Sequence, residues 1–114
     1  MNKKENQVLL SLIGDLSKEK KPIWKKVTKE LSKSRRKRTE VNLSKLDDYG
    51  TEDQTILVPG KVLGAGTVSK KVSVAAFSFS DKAKQLIASA GGKAMTIQSL
   101  YKSNPEGKGV LIIK

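Results

Sequence analysis

The stretch KKVSVAAFSFSDKAKQLIASAGG, residues 70–92, decides the fold class because it predicts a β-strand that leads directly into an α-helix. Residues 70–79 are rich in β-branched and aromatic side chains, as is typical of a strand. Ser80 or Asp81 can then cap a helix. The apolar residues of that helix recur at helical spacing, and they are Ala83, Leu86, Ile87 and Ala90. Gly91 and Gly92 follow, where a glycine is expected just past a helix end.

The flanking segments predict further short strands and helices. Residues 55–60 (TILVPG) predict a strand that Pro59 and Gly60 stop, and residues 61–64 (KVLG) predict another. The remaining assignments are a short extended segment at 39–46, an acidic surface turn at 47–53, an extended segment at 93–97, one or two helical turns at 98–103, a turn at 104–109 and a closing strand at 110–114. This order of elements predicts a small α/β fold.

The first 38 residues predict two helices. Apolar residues fall on one face of each: Leu9, Leu12, Ile13 and Leu16 in the first, and Ile23, Trp24, Val27 and Leu31 in the second. Pro22 suits the first turn of the second helix. We expect a helical hairpin with one apolar seam and a basic exterior. The whole chain, 1–114, is predicted to be a single domain, in which a basic helical N-terminal segment (1–38) precedes an α/β core (39–114).

The charge of the chain predicts a polyanionic partner. The formal net charge is +12 at pH 7, which opposes compaction unless an anion is bound. Residues 1–38 carry 13 Lys and Arg residues against four acidic residues, whereas residues 39–114 carry ten against seven. The basic excess is therefore concentrated at the N-terminus, as expected for a docking segment attached to a less charged core.

The residue types that are missing argue against an enzyme. The sequence has no Cys and no His, so thiolate chemistry is excluded, and the commonest general base and metal ligand are lacking. The acidic residues at 47–53 lie in a polar segment without an apolar pocket, which favours a solvated loop over a catalytic pair. We expect no catalytic residue, no metal site and no cofactor. The apolar run at residues 8–14 is too short for a membrane span or a signal peptide, so a cytosolic location is expected.

The glycine-rich stretch LVPGKVLGAGTVSKK, residues 57–71, does not match a nucleotide-binding loop. In a phosphate-binding P-loop, Gly60 would be followed five positions later by a glycine that precedes Lys and Ser or Thr, but Ala65 stands there. Gly64 and Gly66 match the start of the dinucleotide fingerprint, but Ser69 occupies the position of its third glycine. A nucleotide cofactor is therefore not predicted.

Two interpretations of these glycines stay open. They can be turn residues that adopt positive φ. Alternatively, backbone amides exposed at the glycine turns can hold phosphate oxygens without sequence preference, assisted by the neighbouring Lys61, Lys70 and Lys71.

The basic residues of the N-terminal segment suit RNA. Arg35, Arg36 and Arg38 offer forked donors for phosphate, and their planes can stack on unpaired bases. Trp24 can also be considered as a stacking platform, but its spacing with Val27 and Leu31 favours a role in the core.

Residues 56–94 resemble the core of the large-subunit ribosomal protein eighteen family of archaea and eukaryotes, a relative of bacterial ribosomal protein fifteen. The shared pattern is GKVLGxG, a KK pair, a strand ending in AFSFS, a helix and AGG. WKKVTKELSKSRRKRTEVNLSKL upstream and NPEGKGVLI near the end extend the resemblance over nearly the whole chain. It implies an α/β core of irregular ββα turns and a structural role in the cytoplasmic ribosome. The implied partners are large-subunit ribosomal RNA and neighbouring ribosomal proteins.

The resemblance, together with the charge pattern, selects a set of candidate RNA-binding residues. They are Lys25, Lys26, Lys29, Lys33, Arg35, Arg36, Lys37, Arg38, Lys61, Gly64, Gly66, Lys70, Lys71 and Lys108. The main rival hypothesis is a DNA-compacting protein or general nucleic-acid chaperone, which would share the charge but prefer no particular RNA. An enzyme is a remote third.

Overall fold

The computed structural model describes residues 3–19, 21–33, 39–49, 54–66 and 71–114. The chain divides into two compact units, Met1–Arg38 and Thr39–Lys114. That these units form one domain stays a prediction, and each unit is described by itself.

The first unit contains the two predicted helices, α1 (Lys3–Ser17) and α2 (Pro22–Leu31), which contact each other. Pro22 occupies the first turn of α2, where its missing N–H is not required. Each helix buries one apolar face, made of Leu9, Leu12 and Leu16 in α1 and of Trp24, Val27 and Leu31 in α2. The prediction of a helical N-terminal segment is confirmed.

In its described residues, the second unit is a five-stranded parallel sheet with three helices. Its elements, in chain order, are β1 (Thr39–Asn42), α3 (Leu43–Tyr49), β2 (Thr55–Leu63), β3 (Ser73–Phe79), α4 (Asp81–Ser89), β4 (Lys93–Thr96), α5 (Ile97–Ser103) and β5 (Val110–Ile112). The main path through the sheet is β1-β2-β3-β4, and β5 also pairs with β2. The predicted α/β class is confirmed.

β2 is the central strand, and it is longer than the sequence predicts. Two short strands are expected at residues 55–64, but the structure has one continuous strand through Pro59 and Gly60. Its register with β3 shifts between Val58 and Lys61, so this Pro-Gly pair forms an irregularity within the strand and not its end. β1 pairs with residues 60–63 of β2, and β5 pairs with residues 55–57.

The segment after β1 also differs from expectation, because residues predicted to be extended or in a surface turn form α3. Leu43 and Leu46 are fully buried in this helix, and Asp47 belongs to it as well. The two leucines lie three positions apart, so both face the core from one side of a helix. Burial of this short apolar pair outweighs the turn propensity of the acidic residues that follow.

α4 begins and ends as the sequence predicts. The Ser80 hydroxyl accepts a hydrogen bond from the Ala83 N–H at 3.1 Å, so Ser80 rather than Asp81 is the cap. At the other end, the Gly92 N–H donates to the Ile87 carbonyl at 2.9 Å, and the Gly91 N–H donates to the Ala88 carbonyl at 3.0 Å. With Gly91 at φ +80°, this is a Schellman motif.

The core of the second unit lies between the sheet and two helices. It combines strand residues such as Ile56, Val58, Val74 and Ala76 with Leu46 of α3 and with Ala83 and Ile87 of α4. Since all strand pairs are parallel, the turns that precede the strands lie at one edge of the sheet, the amino edge. The turns that follow the strands lie at the opposite, carboxyl edge.

Candidate nucleic-acid interface

The exposed face of α2 carries three of the candidate lysines. Lys25, Lys26 and Lys29 are exposed, on the side of the helix away from the buried Trp24 and Val27. The helix is therefore divided into an apolar buried face and a basic exposed face, as its spacing predicts.

Lys33, just after α2, is placed differently from the other three. Its ammonium group lies 2.8 Å from the carboxylate of Glu30, and its side chain is 38% exposed. Glu30 is only 4% exposed, which is unusual for a carboxylate and requires partners. The charge of Lys33 is therefore already partly neutralised within the protein, so Lys33 is less available to an anion than Lys29.

Trp24 is fully buried. An indole that stacks on a base must present its face to solvent in the free protein, or become exposed on binding. The burial of Trp24 favours the interpretation of this side chain as part of the core.

The arginine cluster lies outside the described residues. This applies to Arg35, Arg36, Lys37 and Arg38, and also to Lys70. Their selection as RNA-binding residues rests on the sequence.

Gly64 and Gly66 lie at the carboxyl edge, in the turn after β2. A Cβ on Gly64 would lie 2.8 Å from the Lys82 Cβ and 2.9 Å from the Ala83 nitrogen, at the start of α4. Gly66 has φ +89°, and a Cβ there would lie 2.7 Å from the Ser44 Cβ in α3. Close packing against two helices and a positive φ thus account for both glycines, which favours the interpretation as turn residues.

Lys61 is exposed on β2 and is aligned with Glu40 on β1, which is also exposed. Aligned residues on adjacent strands point to the same side of the sheet, so these opposite charges are neighbours. A phosphate bound by Lys61 would compete with the Glu40 carboxylate for the same ammonium group. The neighbouring negative charge therefore makes Lys61 a weaker phosphate-binding residue.

Lys71 and Lys108 are exposed at the amino edge, in the turns before β3 and β5. The stem of Lys71 runs over Gly91, since a Cβ on that glycine would lie 3.2 Å from the Lys71 Cε. Lys108 stands between Gly107 at φ +69° and Gly109 at φ +74°. A third exposed lysine, Lys93, begins β4 at the same edge. Sequence analysis did not select Lys93. The one feature of the sequence that could have indicated it is its position directly after Gly91 and Gly92, which end α4.

The described residues offer no other chemistry of an enzyme site. No group of acidic side chains among them could hold a metal ion. An open cavity of about 270 Å³ is lined by Lys45, Leu111, Ile112, Ile113 and Lys114, so the side chains around it are aliphatic or cationic. Within the same part of the chain, no helix is both long enough and apolar enough to cross a membrane.

In the described residues, a basic helix face, exposed lysines on turns and an apolar core are the features of a small, basic α/β binding protein. The sequence model of the family described as ribosomal protein 60S L18 and 50S L18e matches residues 4–114. The chain belongs to this family. It is therefore a structural ribosomal protein of the large subunit and not an enzyme, and it works in the cytoplasmic ribosome. The family, class and location expected from the sequence are confirmed.

Archaeal relatives match the chain over nearly its full length. A protein of Methanococcus maripaludis named large ribosomal subunit protein eL18 is 46% identical over 112 residues, which cover 98% of this chain and 93% of the relative. The protein of the same name from Archaeoglobus fulgidus is 45% identical and covers 97% and 98%. That of Methanopyrus kandleri is 43% identical and covers 96% and 93%.

Proposed function

We propose that the chain stabilises the large ribosomal subunit by binding ribosomal RNA through its basic helix face, its arginine cluster and the lysines of its turns. The observation that carries this proposal is the division of α2, where Lys25, Lys26 and Lys29 are exposed opposite a buried apolar face. Such a helix can present a row of cations to phosphates without exposing apolar surface.

The mechanism is neutralisation of phosphates where RNA segments are crowded together. Lysine ammonium groups act as point charges and carry no base specificity, whereas the arginines add bidentate phosphate contacts and stacking. Neighbouring ribosomal proteins are the second class of partner. With about eight phosphates engaged, RNA affinity should fall by roughly three or more decades between 50 and 200 mM salt.

The experiment that tests this function is equilibrium binding of the full chain to large-subunit ribosomal RNA of Methanococcus maripaludis over a salt series. Sequencing of the RNA and DNA retained by the protein from a mixed pool is the accompanying measurement. Enrichment of one ribosomal RNA region, with a steep salt dependence, is expected. Equal retention of unrelated DNA would favour the nucleic-acid-compacting alternative and overturn the proposal.

A further inference from the structure

Four strands of the second unit begin in one row at the amino edge. Thr55 of β2 is aligned with Ser73 of β3 and with Val110 of β5, and Ser73 is aligned with Lys93 of β4. Residues far apart in sequence are therefore neighbours at this edge. Three of them are the exposed lysines Lys71, Lys93 and Lys108.

The backbone at Lys71 and Lys93 is held in place because the turn before β3 and the turn before β4 contact each other closely. The Lys93 N–H donates to the Val72 carbonyl at 2.9 Å. A Cβ on Gly92 would overlap that same carbonyl oxygen, so only glycine allows this approach. The stem of Lys71 crosses Gly91 at the carboxyl end of α4, where the helix dipole favours a cation.

The backbone of Lys108 is held from both sides by one side chain. The Asn104 amide nitrogen donates to the Lys108 carbonyl at 2.8 Å, and the Asn104 side-chain oxygen accepts from the Lys108 N–H at 3.3 Å. The Thr55 N–H donates to the Gly109 carbonyl at 3.3 Å, which attaches the turn to β2. Lys108 is thus presented on a fixed turn beside the other strand starts.

The spacing of the three lysines suits one phosphate chain. Adjacent strands are about 4.8 Å apart, so the four strand starts from β5 to β4 span about 14 Å. Neighbouring lysines in this row are one or two strand spacings apart, about 5 to 10 Å, which does not exceed the Debye length of about 10 Å at 0.1 M salt, so two neighbouring lysines can act on the same anion. Among the described residues of these turns, Glu106 is the one carboxylate, against the three exposed lysines.

The same edge is poorly suited to a protein partner. The large apolar side chains that are exposed in the described chain are Val8 and Leu10, and both belong to α1. A protein interface needs an apolar or aromatic anchor, and no large apolar side chain is exposed among the described residues of the amino edge, whereas a phosphate backbone needs only fixed cations.

We propose that Lys71, Lys93 and Lys108 form one RNA-binding surface, the amino-edge lysine surface, which holds a single continuous stretch of RNA backbone. Lys93 becomes an RNA-binding residue, and Asn104 positions Lys108. This inference rests on the proposed function, since it assigns part of the same RNA contact to one surface.

The test compares two full-length variants of equal net charge. In the first, Lys71, Lys93 and Lys108 are all changed to Gln. In the matched control, three exposed lysines away from the amino edge are changed to Gln: Lys18 after α1, and Lys82 and Lys84 near the start of α4. Binding of each protein to the ribosomal RNA of Methanococcus maripaludis is measured over a salt series, together with hydroxyl-radical footprints and thermal melting.

The first variant is expected to lower the slope of log affinity against log salt by about 2 to 3, and the control by less than 1. One continuous segment of the RNA footprint should disappear in the first variant only. Equal slope changes in both variants, or scattered footprint losses, would overturn the amino-edge lysine surface while leaving the proposed function intact. If the unmodified chain bound this RNA with an affinity that did not depend on salt, that result would instead contradict the proposed function.

Two further measurements distinguish a role of these lysines in RNA binding from a role in the stability of the fold. A variant with Lys71, Lys93 and Lys108 all changed to Arg keeps the charge and should retain the salt slope and footprint. The single variant Lys93→Gln should lower the slope by about 1 with an unchanged melting temperature. Loss of binding in the Arg variant, or melting changes that account for the Gln variants, would assign the lysines to the fold and contradict the inference.

Discussion

Gly60 of β2 lies directly against Thr39 of β1, so that a Cβ on the glycine would overlap the Thr39 carbonyl oxygen. The two residues are aligned where β1 begins to pair with β2. We expect Gly60→Ala to force β1 away from β2 and to lower the free energy of unfolding by about 1–3 kcal/mol. Thermal melting followed by circular dichroism measures this change, and an unchanged melting temperature would contradict the close approach of the two strands.

Gly14→Ala is the control for Gly60→Ala. It is expected to raise the free energy of unfolding, whereas Gly60→Ala is expected to lower it. Gly14 lies within α1, and a Cβ there would meet nothing within 4 Å. Alanine favours the helix over glycine by about 0.5–1 kcal/mol. The variant should therefore melt at a higher temperature than the unmodified chain. A lower melting temperature would mean that α1 requires the glycine for a contact.

Trp24→Ala is expected to lower the free energy of unfolding, and any loss of RNA affinity should follow from this loss of stability. Because Trp24 is fully buried, its truncation should cost about 3–5 kcal/mol of unfolding free energy. Trp24→Phe keeps an apolar ring and should retain more of the stability. Chemical denaturation and RNA binding are measured on both variants. A loss of RNA affinity at unchanged stability would instead identify Trp24 as a stacking residue.

Lys33 and Lys29 should respond differently to the same change. Lys33→Gln removes the ion pair to the nearly buried Glu30, which should cost about 1–2 kcal/mol of unfolding free energy. Lys29 is exposed, so Lys29→Gln should lower the salt slope of RNA binding by about 1 and leave melting unchanged. If Lys33→Gln lowered the slope without affecting the melting temperature, Lys33 would be an RNA contact rather than a partner of Glu30.

Changing Arg35, Arg36 and Arg38 together to Ala should weaken binding to large-subunit ribosomal RNA and leave melting nearly unchanged. The reason is the loss of three phosphate-binding guanidinium groups, which should lower the salt slope by about 2 to 3. The variant with Lys18, Lys82 and Lys84 changed to Gln is again the control for net charge. Loss of folding, rather than loss of binding, would contradict the assignment of the arginine cluster.

Local interactions explain what the sequence predicted well. The cap at Ser80, the apolar face of α4 and the stop at Gly91 all depend on residues within a few positions of one another. The same holds for Pro22 at the start of α2. Patterns of this range are visible in a single sequence, so these elements could be placed before the structure.

Contacts between distant residues explain what the sequence missed. β2 continues through Pro59 and Gly60 because β1 and β3 pair with it on either side, and a one-dimensional pattern contains neither neighbour. Lys93 joins Lys71 and Lys108 only through the alignment of four strands. The division between Lys29 and Lys33 likewise depends on the burial of Glu30, which a charge count cannot reveal.

The sharing of β2 between two partners has a consequence for synthesis of the chain. One side of β2 pairs with β1 along residues 60–63 and with β5 along residues 55–57. β5 follows β2 in the chain by more than 40 residues, so until residues 110–112 have been synthesised and have paired, β2 has an unpaired edge beside Ile56 and Leu57. Such an apolar edge can pair with another chain. The sheet is therefore complete only after β5 has joined β2, and the risk of misassembly at this edge is confined to the interval before that pairing.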